Sequence, residues 1–233
     1  MFVLANLYVG GATFAHHSYT GLVIALRERS QRMTSARRLP AKERRSQLLD
    51  AAAELFATRG FARATTAELA KAAGVTEPII YRHFASKKKL FIALIDRTGE
   101  ETIAHWEQHL ADAKDPAERL RRLLSDNPMV VEVGRLPYRV LMQAITEVDD
   151  ASIRKAIANH FANLHEFLVR EIKRAQEDRK VMKVFSAEVI AWILIHAGLG
   201  YGVLDALRVP GQGEDAKGTT VRDVFERLLV GRD

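Results

Sequence analysis

Residues 65–89 constrain the fold of this chain more than any other segment. They read Thr-Thr-Ala-Glu-Leu-Ala-Lys-Ala-Ala-Gly-Val-Thr-Glu-Pro-Ile-Ile-Tyr-Arg-His-Phe-Ala-Ser-Lys-Lys-Lys. Residues that commonly start helices, Thr65, Thr76 and Ser86, recur at intervals of about ten residues, and Gly74 ends the first of the helices between them. This spacing accommodates two short helices around a tight turn and the start of a third helix, which is the arrangement of a helix-turn-helix.

Three consecutive lysines, Lys87–Lys89, fill the first turn of the helix that Ser86 is predicted to cap. Cations are disfavoured at this positive end of the helix dipole, by a few tenths to about 1 kcal/mol each. A polyanion nearby would reverse that penalty, and the phosphate backbone of DNA is the obvious candidate. The lysines therefore indicate that this end of the helix faces nucleic acid.

The rest of the chain also follows a helical period. Ala, Leu, Glu and Arg recur at spacings of three and four residues, whereas Val and Ile rarely alternate with polar residues. We therefore predict an all-α protein with an N-terminal three-helix head and a C-terminal helical domain. The chain has no cysteine, which excludes disulfides, thiol nucleophiles and cysteine-ligated metals.

The net charge of +6 is unevenly distributed along the 233 residues. Residues 34–98 carry 13 Lys and Arg against 6 Asp and Glu, whereas residues 99–233 carry 19 against 22. A basic head on a slightly acidic body is typical of a nucleic-acid-binding module with a separate second domain. The predicted domains are residues 34–97 for DNA binding and residues 98–233 for a second function.

The first part of the chain, residues 1–33, does not resemble the remainder. No cation precedes Arg27, as a secretory signal would require, and glycines and histidines interrupt the apolar run that a membrane anchor would need. Met33 then opens a segment that looks like a natural basic arm. We interpret residues 1–33 as an extension that is disordered or arises from an upstream start site. We expect a cytoplasmic protein without a membrane partner.

The third helix of the head is predicted to follow Thr76 and to be only about eight residues, or roughly 12 Å, long, comparable to the width of the DNA major groove. Hydroxyl groups and cations suit phosphates, and an arginine suits a bidentate pair with guanine. Taken singly, Tyr81 would more often lie on the core, and His83 would more often cap the end of the helix. The whole set on one short helix favours DNA contact. Its outward face is predicted to carry Thr76, Glu77, Tyr81, Arg82 and His83.

The motif Thr65-Thr66-x-x-Leu69-Ala70-x-x-Ala73-Gly74-Val75-Thr76, followed by Tyr81-Arg82-His83-Phe84-x-Ser86-Lys87, closely resembles the signature of TetR-family transcriptional regulators. The resemblance extends from Ala51 through Leu94. It implies an all-helical homodimer whose head binds operator DNA and whose variable C-terminal domain, here residues 98–233, binds a small effector and dimerises. It also implies that DNA is contacted by Thr66, Thr76, Tyr81, His83 and Lys87.

Two features depart from the usual pattern of the family. Glu77-Pro78 replaces a small or glycine-containing pair, and Lys88-Lys89 replaces residues that are often acidic. The first departure leaves the base preference open, and the second suggests a stronger attraction to phosphates. The complete set of predicted DNA-binding residues is Thr65, Thr66, Thr76, Glu77, Pro78, Tyr81, Arg82, His83, Lys87 and Lys88.

Two long helices are predicted in the body. One begins at Asp149-Asp150 and, at about 28 residues, would span roughly 42 Å. The other, Val189 to Leu204, is apolar on nearly every side, so we expect it to be buried all round. It is too short and too interrupted by His196 and glycines for a membrane span. The family resemblance assigns it to the dimer interface.

Scattered aromatic, histidine and methionine side chains are the only indications of an effector. Each of them taken alone is more often ordinary core, interface or surface than ligand contact. Together they favour a hydrophobic ligand with one or two polar groups. The predicted effector-binding residues are Trp106, Tyr138, Met142, Phe161, His165, Trp192 and His196.

The sequence shows no catalytic arrangement, and we predict neither an enzyme nor a cofactor or metal. His105 and His109 lie four residues apart, but no Glu follows the first His as a zinc-protease motif requires, and a solvated helix face explains the pair better than metal sensing. His160 and His165 are five residues apart and do not share a helix face.

The main hypothesis is a homodimeric repressor that binds a palindromic operator in double-stranded DNA and is released by a small molecule. The alternative is a helical small-molecule binding or carrier protein without sequence-specific DNA binding, and a helical enzyme is a distant third. Steep salt dependence together with sequence preference would separate the first from the second.

Overall fold

The computed structural model describes residues 39–126, 128 and 132–230. All regular elements in this part of the chain are helices, and one isolated antiparallel bridge joins Glu214 to Thr220. The prediction of an all-α fold is therefore confirmed. Our interpretation of residues 1–33 lies outside the described residues.

The helices follow one another along the chain with short connections. In chain order they are α1 (Ala41–Arg59), α2 (Thr66–Ala72), α3 (Glu77–His83), α4 (Lys87–His109), α5 (Pro116–Ser125), α6 (Glu132–Gln143), α7 (Ala151–Glu177), α8 (Ala187–Ala206) and α9 (Val221–Leu229), with a 3₁₀ turn at Ala144–Glu147 after α6.

Local capping chemistry sets the limits of the head helices. The Thr65 hydroxyl accepts a hydrogen bond from the Glu68 amide, and the Glu68 carboxylate accepts one from the Thr65 amide, so the predicted capping box starts α2. Gly60 and Gly74 have φ of 79° and 62°, a left-handed conformation that favours glycine at the end of a helix. Ser86 caps α4 by accepting from the Lys89 amide, as predicted.

Two hydrophobic clusters form the core. The first contains the buried faces of α1, α2, α3 and the start of α4, and it continues into residues of α6 and α7 such as Tyr138 and Ile153. The second joins the end of α4 to α5, α7 and α8 around Trp106 and Phe167. Helix α4 thus contributes to both clusters. The predicted boundary at residue 97 falls within α4, and the division into two domains stays a prediction.

Gly134 and Pro137 lie inside α6, although residues of these two types commonly interrupt helices. Proline in a helix interior removes a hydrogen bond and costs about 3 kcal/mol. Tyr138, Val140 and Leu141, which come directly after it, are all buried in the first cluster. Their burial, at about 1.5–3 kcal/mol for each large side chain, outweighs the cost of the proline.

Helix α8 differs from its prediction in two respects. It is 20 residues long, and by length and composition alone it is apolar enough to cross a membrane. Our argument that this helix is too short for a membrane span is therefore wrong. Core helices of globular proteins pass the same test. The expectation of burial on every side is also wrong for the single chain. Val189, Trp192, Ile193 and Leu204 are between 40 and 51% exposed, because no other described residue covers this face.

Candidate nucleic-acid interface and effector region

Three of the predicted DNA-binding side chains are linked to one another across the turn between α2 and α3. The Thr66 hydroxyl donates to Glu77 Oε2 at 2.6 Å, and the Tyr81 hydroxyl donates to Thr66 Oγ1 at 3.3 Å. Thr66 begins α2 and Glu77 begins α3, so this short chain of hydrogen bonds fixes the two helices relative to each other at the surface. Glu77 therefore has a structural partner, which its sequence position did not reveal.

The remaining side chains of α3 are available to a ligand. Thr76 is at the N-cap position as predicted, but its hydroxyl makes no capping hydrogen bond and is exposed. Tyr81, Arg82 and Pro78 are exposed as well, whereas Ile80 is fully buried beneath them. A face with free hydroxyl and guanidinium groups can serve both phosphates and base edges.

His83, the last residue of α3, is half-buried. Burial lowers the pKa of its imidazole, and the charges of Arg82, Arg44 and Arg45 lower it further. The ring is therefore neutral at pH 7 and carries one donor and one acceptor. Three arginines around one imidazole also show that positive charge is concentrated at this end of the helix.

Thr65 is exposed. Its two predicted roles, capping α2 and contacting DNA, would both use its side-chain hydroxyl. That hydroxyl accepts from the Glu68 amide at 3.2 Å and lies 3.0 Å from Glu68 Oε2, to which it donates. Arg59 lies 3.3 Å from the other carboxylate oxygen of Glu68. The capping role of Thr65 is thus confirmed, and its contact with DNA stays a prediction.

The structure gives Lys87 a role that the sequence did not indicate. Its ammonium group donates to the carbonyls of Phe61, Ala62 and Ala64 at 2.9, 3.3 and 2.9 Å, and it lies 4.6 Å from the centroid of the Phe61 ring. An ammonium has three donors, and all of them are in use. Lys87 therefore holds the connection between α1 and α2, and a hydrogen bond to phosphate would require the loss of one of these bonds.

The next two lysines, Lys88 and Lys89, differ in whether their ammonium groups have a partner among the described residues. Lys88 Nζ lies 2.8 Å from Asp150 Oδ2, at the start of α7. Lys89 is exposed and makes no side-chain hydrogen bond or ion pair with the described residues. Of the three lysines at the start of α4, Lys89 is thus the one whose ammonium is free for an anion. We did not include it among the predicted DNA-binding residues.

The predicted effector-binding residues do not converge. Tyr138 and Met142 belong to the first hydrophobic cluster, Trp106 belongs to the second, and Phe161 packs against both. Trp106 is buried, and its indole donates to the Asp126 carbonyl at 3.3 Å. Sequence position alone could not show this, because the four residues lie on the inner faces of three different helices, α4, α6 and α7.

The other three predicted effector residues lie on the outside of the chain. The His165 and Trp192 rings stack at 4.5 Å, and the Trp192 and His196 rings lie 6.0 Å apart. His165 Nε2 is also 2.9 Å from the Glu188 carbonyl. Trp192 and His196 are exposed, so they line no internal cavity of the single chain. Their placement in an effector site inside one subunit is a prediction that this geometry does not favour.

A buried histidine, which we had considered only as a partner of His165, lies beside Tyr138. His160 is on the inner face of α7, and its ring meets the Tyr138 ring edge-on at a centroid distance of 5.6 Å. Neither ring nitrogen of His160 nor the Tyr138 hydroxyl has a hydrogen-bond partner among the described residues. Its only sequence signal was a polar residue on the apolar stripe of a long helix.

The pair His105 and His109 is not the solvated face that we expected. Its rings stack at 6.1 Å, but His105 is half-buried, and its Nε2 lies 2.7 Å from Oδ2 of the buried Asp126. The partner is a carboxylate from the end of α5, which brings the two helices together. Among the described residues no group of histidines and carboxylates has the arrangement of a metal site.

The helix-turn-helix region of the chain is similar to known proteins. The family model of bacterial regulatory proteins of the tetR family matches residues 48–94, which contain α2, α3 and the start of α4. The HTH-type transcriptional activator FasR of Mycolicibacterium smegmatis is 37% identical over 106 residues, or 46% of this chain. The chain spans about half, 48%, of the length of that relative.

A second relative is matched over more of its length. The nucleoid occlusion factor SlmA of Marinobacter nauticus is 35% identical over 135 residues, which cover 57% of this chain and 68% of the relative. A protein from Saccharomonospora viridis, solved in complex with choline, has the same fold with a TM-score of 0.68 and 23% identity, over 82% of this chain and all of that one. The chain therefore belongs to the tetR family of bacterial regulatory proteins, whose members are DNA-binding transcriptional regulators and not enzymes.

Proposed function

We propose that this chain is a cytoplasmic, homodimeric transcriptional regulator that binds a palindromic DNA operator through α3 and is released from it by a small molecule. A repressor is the form that we favour. The name of the FasR relative describes an activator, so the sign of regulation depends on where the operator lies relative to a promoter.

The exposed face of α3 is the observation that carries the proposal. Thr76 at the N-cap and Tyr81 and Arg82 within the seven-residue helix are exposed, while Ile80 anchors the helix from below. A helix of this size fits the major groove, which is about 12 Å wide. The hydrogen bonds among Thr66, Glu77 and Tyr81 support the face as a preformed surface rather than a flexible one.

The exposed apolar face of α8 supports the homodimer. Large side chains at positions 189, 192, 193 and 204 follow the spacing of one helix face and remain 40–51% exposed. A contiguous apolar face of this kind commonly marks an interface. A second copy of the chain would cover it with the same face, as twofold symmetry requires.

Helix α4 supports a mechanism that connects effector and DNA. It begins beside the head with Lys87 and ends in the second cluster at Trp106, so both ends of one rigid element contact different parts of the core. An effector that favours another tilt of α4 would shift the population toward a dimer whose heads are wrongly spaced. Productive binding needs heads about 34–36 Å apart, one turn of B-DNA.

Selection of bound fragments from the host's own genomic DNA tests the proposal directly. We expect a palindromic site that the protein binds in the nanomolar range, with log K falling steeply against log salt concentration. Affinity that ignores DNA sequence, with the same salt dependence, would refute the regulator and leave the carrier protein. A reporter placed behind the selected site then decides between repression and activation.

A further inference from the structure

We infer that His160 and Tyr138 form the polar end of an internal binding site for an uncharged, largely apolar ligand. The proposed function supplies the role of that ligand, as the effector of the regulator. The site itself rests on contacts between α4, α6 and α7 that do not depend on DNA binding.

Three polar atoms at this place are buried without a partner. His160 and Tyr138 are 2% and 3% exposed, and neither His160 Nδ1, His160 Nε2 nor the Tyr138 hydroxyl oxygen makes a hydrogen bond with any residue that the structure describes. More than about 90% of buried polar groups in proteins are hydrogen-bonded, and an unsatisfied group costs about 1–3 kcal/mol. Three such atoms on two side chains in contact are best explained by a missing hydrogen-bonding molecule.

The neighbouring threonine hydroxyls already donate their protons elsewhere. The Thr98 and Thr102 hydroxyls donate to backbone carbonyls one turn earlier in α4, each at 2.8 Å. Thr102 lies near the Tyr138 hydroxyl, but the two do not form a hydrogen bond in the structure. Neither threonine can therefore donate a hydrogen bond to His160 without giving up its own.

Gly99 shows that the histidine is closely fitted against α4. A Cβ atom at this position would lie 2.9 Å from His160 Nδ1, closer than side chains tolerate. The imidazole thus occupies the space that a larger residue at position 99 would fill. This contact holds the ring in one place, as a recognition group requires.

The surroundings determine the class of ligand. Phe161 meets the His160 ring edge-on at 5.0 Å and packs against both hydrophobic clusters, together with Leu199. Among the described residues, burial is the only influence on the pKa of His160, which it lowers to about 4. None of their charges therefore acts on the ring, so a charged ligand would gain no counter-ion from them and would carry a large desolvation cost. A neutral imidazole and a phenol instead match a hydroxyl, carbonyl or amide group.

The test uses four probes with one carbon skeleton: octan-1-ol and octanamide as neutral ligands, and octanoate and octylammonium as charged ones. Binding to the full chain is measured by calorimetry, and the ¹⁵N resonances of the His160 imidazole report contact with the polar group. We expect both neutral probes to bind and to shift these resonances, and the charged probes to bind at least about tenfold more weakly, equivalent to 1.4 kcal/mol.

Three single variants locate the site. Tyr138→Phe and His160→Phe should each weaken octan-1-ol binding at least about tenfold, because each removes a hydrogen-bonding group at no cost in apolar area. Glu166→Gln, at an exposed position on the outer side of the same helix, should bind the probe as the unchanged chain does. If a variant does not fold, the ¹⁵N shifts in the unchanged chain still decide the matter.

Several results would overturn the inference: failure of both neutral probes to bind, equal affinity for charged and neutral probes, or probe binding that leaves the His160 resonances in place. Operator binding is measured separately on the same samples. Probes that bind without changing operator affinity would leave the site standing and remove its effector role. A chain that binds no operator would refute the proposed function without affecting the probe result.

Discussion

Lys88 Nζ lies 2.8 Å from Asp150 Oδ2 and so joins the first turn of α4, beside the head, to the first turn of α7 in the body. Asp150 also caps α7, because its other carboxylate oxygen accepts hydrogen bonds from the Ser152 and Ile153 amides. These hydrogen bonds, led by that of Lys88, hold the pKa of Asp150 well below its usual range. The Asp150 carboxylate thus forms an ion pair with the Lys88 ammonium, which DNA phosphates would otherwise attract.

Asp150→Asn should raise affinity for operator DNA. Asparagine caps a helix as well as aspartate does, so α7 is preserved while the competitor for Lys88 is removed. A half-exposed ion pair contributes up to about 1 kcal/mol, which predicts an increase of roughly two- to fivefold at low salt. Fluorescence anisotropy with a labelled operator measures it.

Asp149→Asn is the matched control for this change. Asp149 is the exposed neighbour, so the substitution removes the same charge without releasing Lys88. We expect it to leave operator affinity nearly unchanged. Equal gains from both variants would mean that net charge, and not competition for Lys88, is responsible.

Lys87→Met and Lys89→Met should have different effects. Loss of Lys87 leaves three backbone carbonyls without their donor and should lower the free energy of unfolding by about 1–2 kcal/mol. Loss of the exposed Lys89 should change stability by less than about 0.5 kcal/mol but lower the slope of log K against log salt by about 1. Urea unfolding and salt titrations measure the two quantities. Full stability in Lys87→Met would contradict the structural role of this lysine.

Arg82→Ala should relax the preference of the protein between operator sites, by about 1–3 kcal/mol at one base pair. The guanidinium is exposed on α3 and free to form a bidentate pair with guanine. Arg82→Lys is the control, since it keeps the charge but not the fork of donors. Competition binding with operators mutated at each position measures the preference. Uniform weakening at every position in Arg82→Ala would instead make Arg82 a phosphate contact.

Ile193→Glu should separate the dimer into monomers, because it places a charge in the exposed apolar face of α8. Val184→Glu is the control, as Val184 is 77% exposed between α7 and α8 and lies outside that face. Sedimentation velocity measures the state of association, and operator affinity should fall at least about tenfold in Ile193→Glu alone. A dimeric Ile193→Glu variant would remove α8 from the interface.

The stability of the chain should fall as the pH is lowered from about 6.5 to 4, because of His160. Its pKa is about 4 in the folded state, against an ordinary value of 6.5 for an unperturbed histidine, so the unfolded state binds more protons in this window. The free energy of unfolding should fall by an amount on the order of 3 kcal/mol. Urea unfolding at pH 7 and pH 4.5 should show it in the unchanged chain and much less in His160→Phe. Asp150 does not confuse the result, since its pKa is lowered from 3.8 and it titrates below this window.

The head could be predicted closely because its signals act over a few residues. The starts of α2 and α4 after Thr65 and Ser86, and the end of α2 just before Gly74, lie where the sequence indicated. N-cap hydroxyls and glycines at helix ends act on the backbone beside them, so their effect does not depend on the rest of the fold. Pro137 is the counterexample, since burial of the residues after it outweighs its local preference.

The sequence by itself determined that the chain is helical, that its head contains a helix-turn-helix and which side chains α3 carries. The tertiary structure decided which of those side chains are free. Lys87 is committed to a carbonyl 23 residues away and Lys88 to a carboxylate 62 residues away, whereas Lys89 is free. It also placed His160 against Tyr138 and turned Trp192 outward. Such contacts depend on how helices pack across the core, and no periodicity within one helix carries that information.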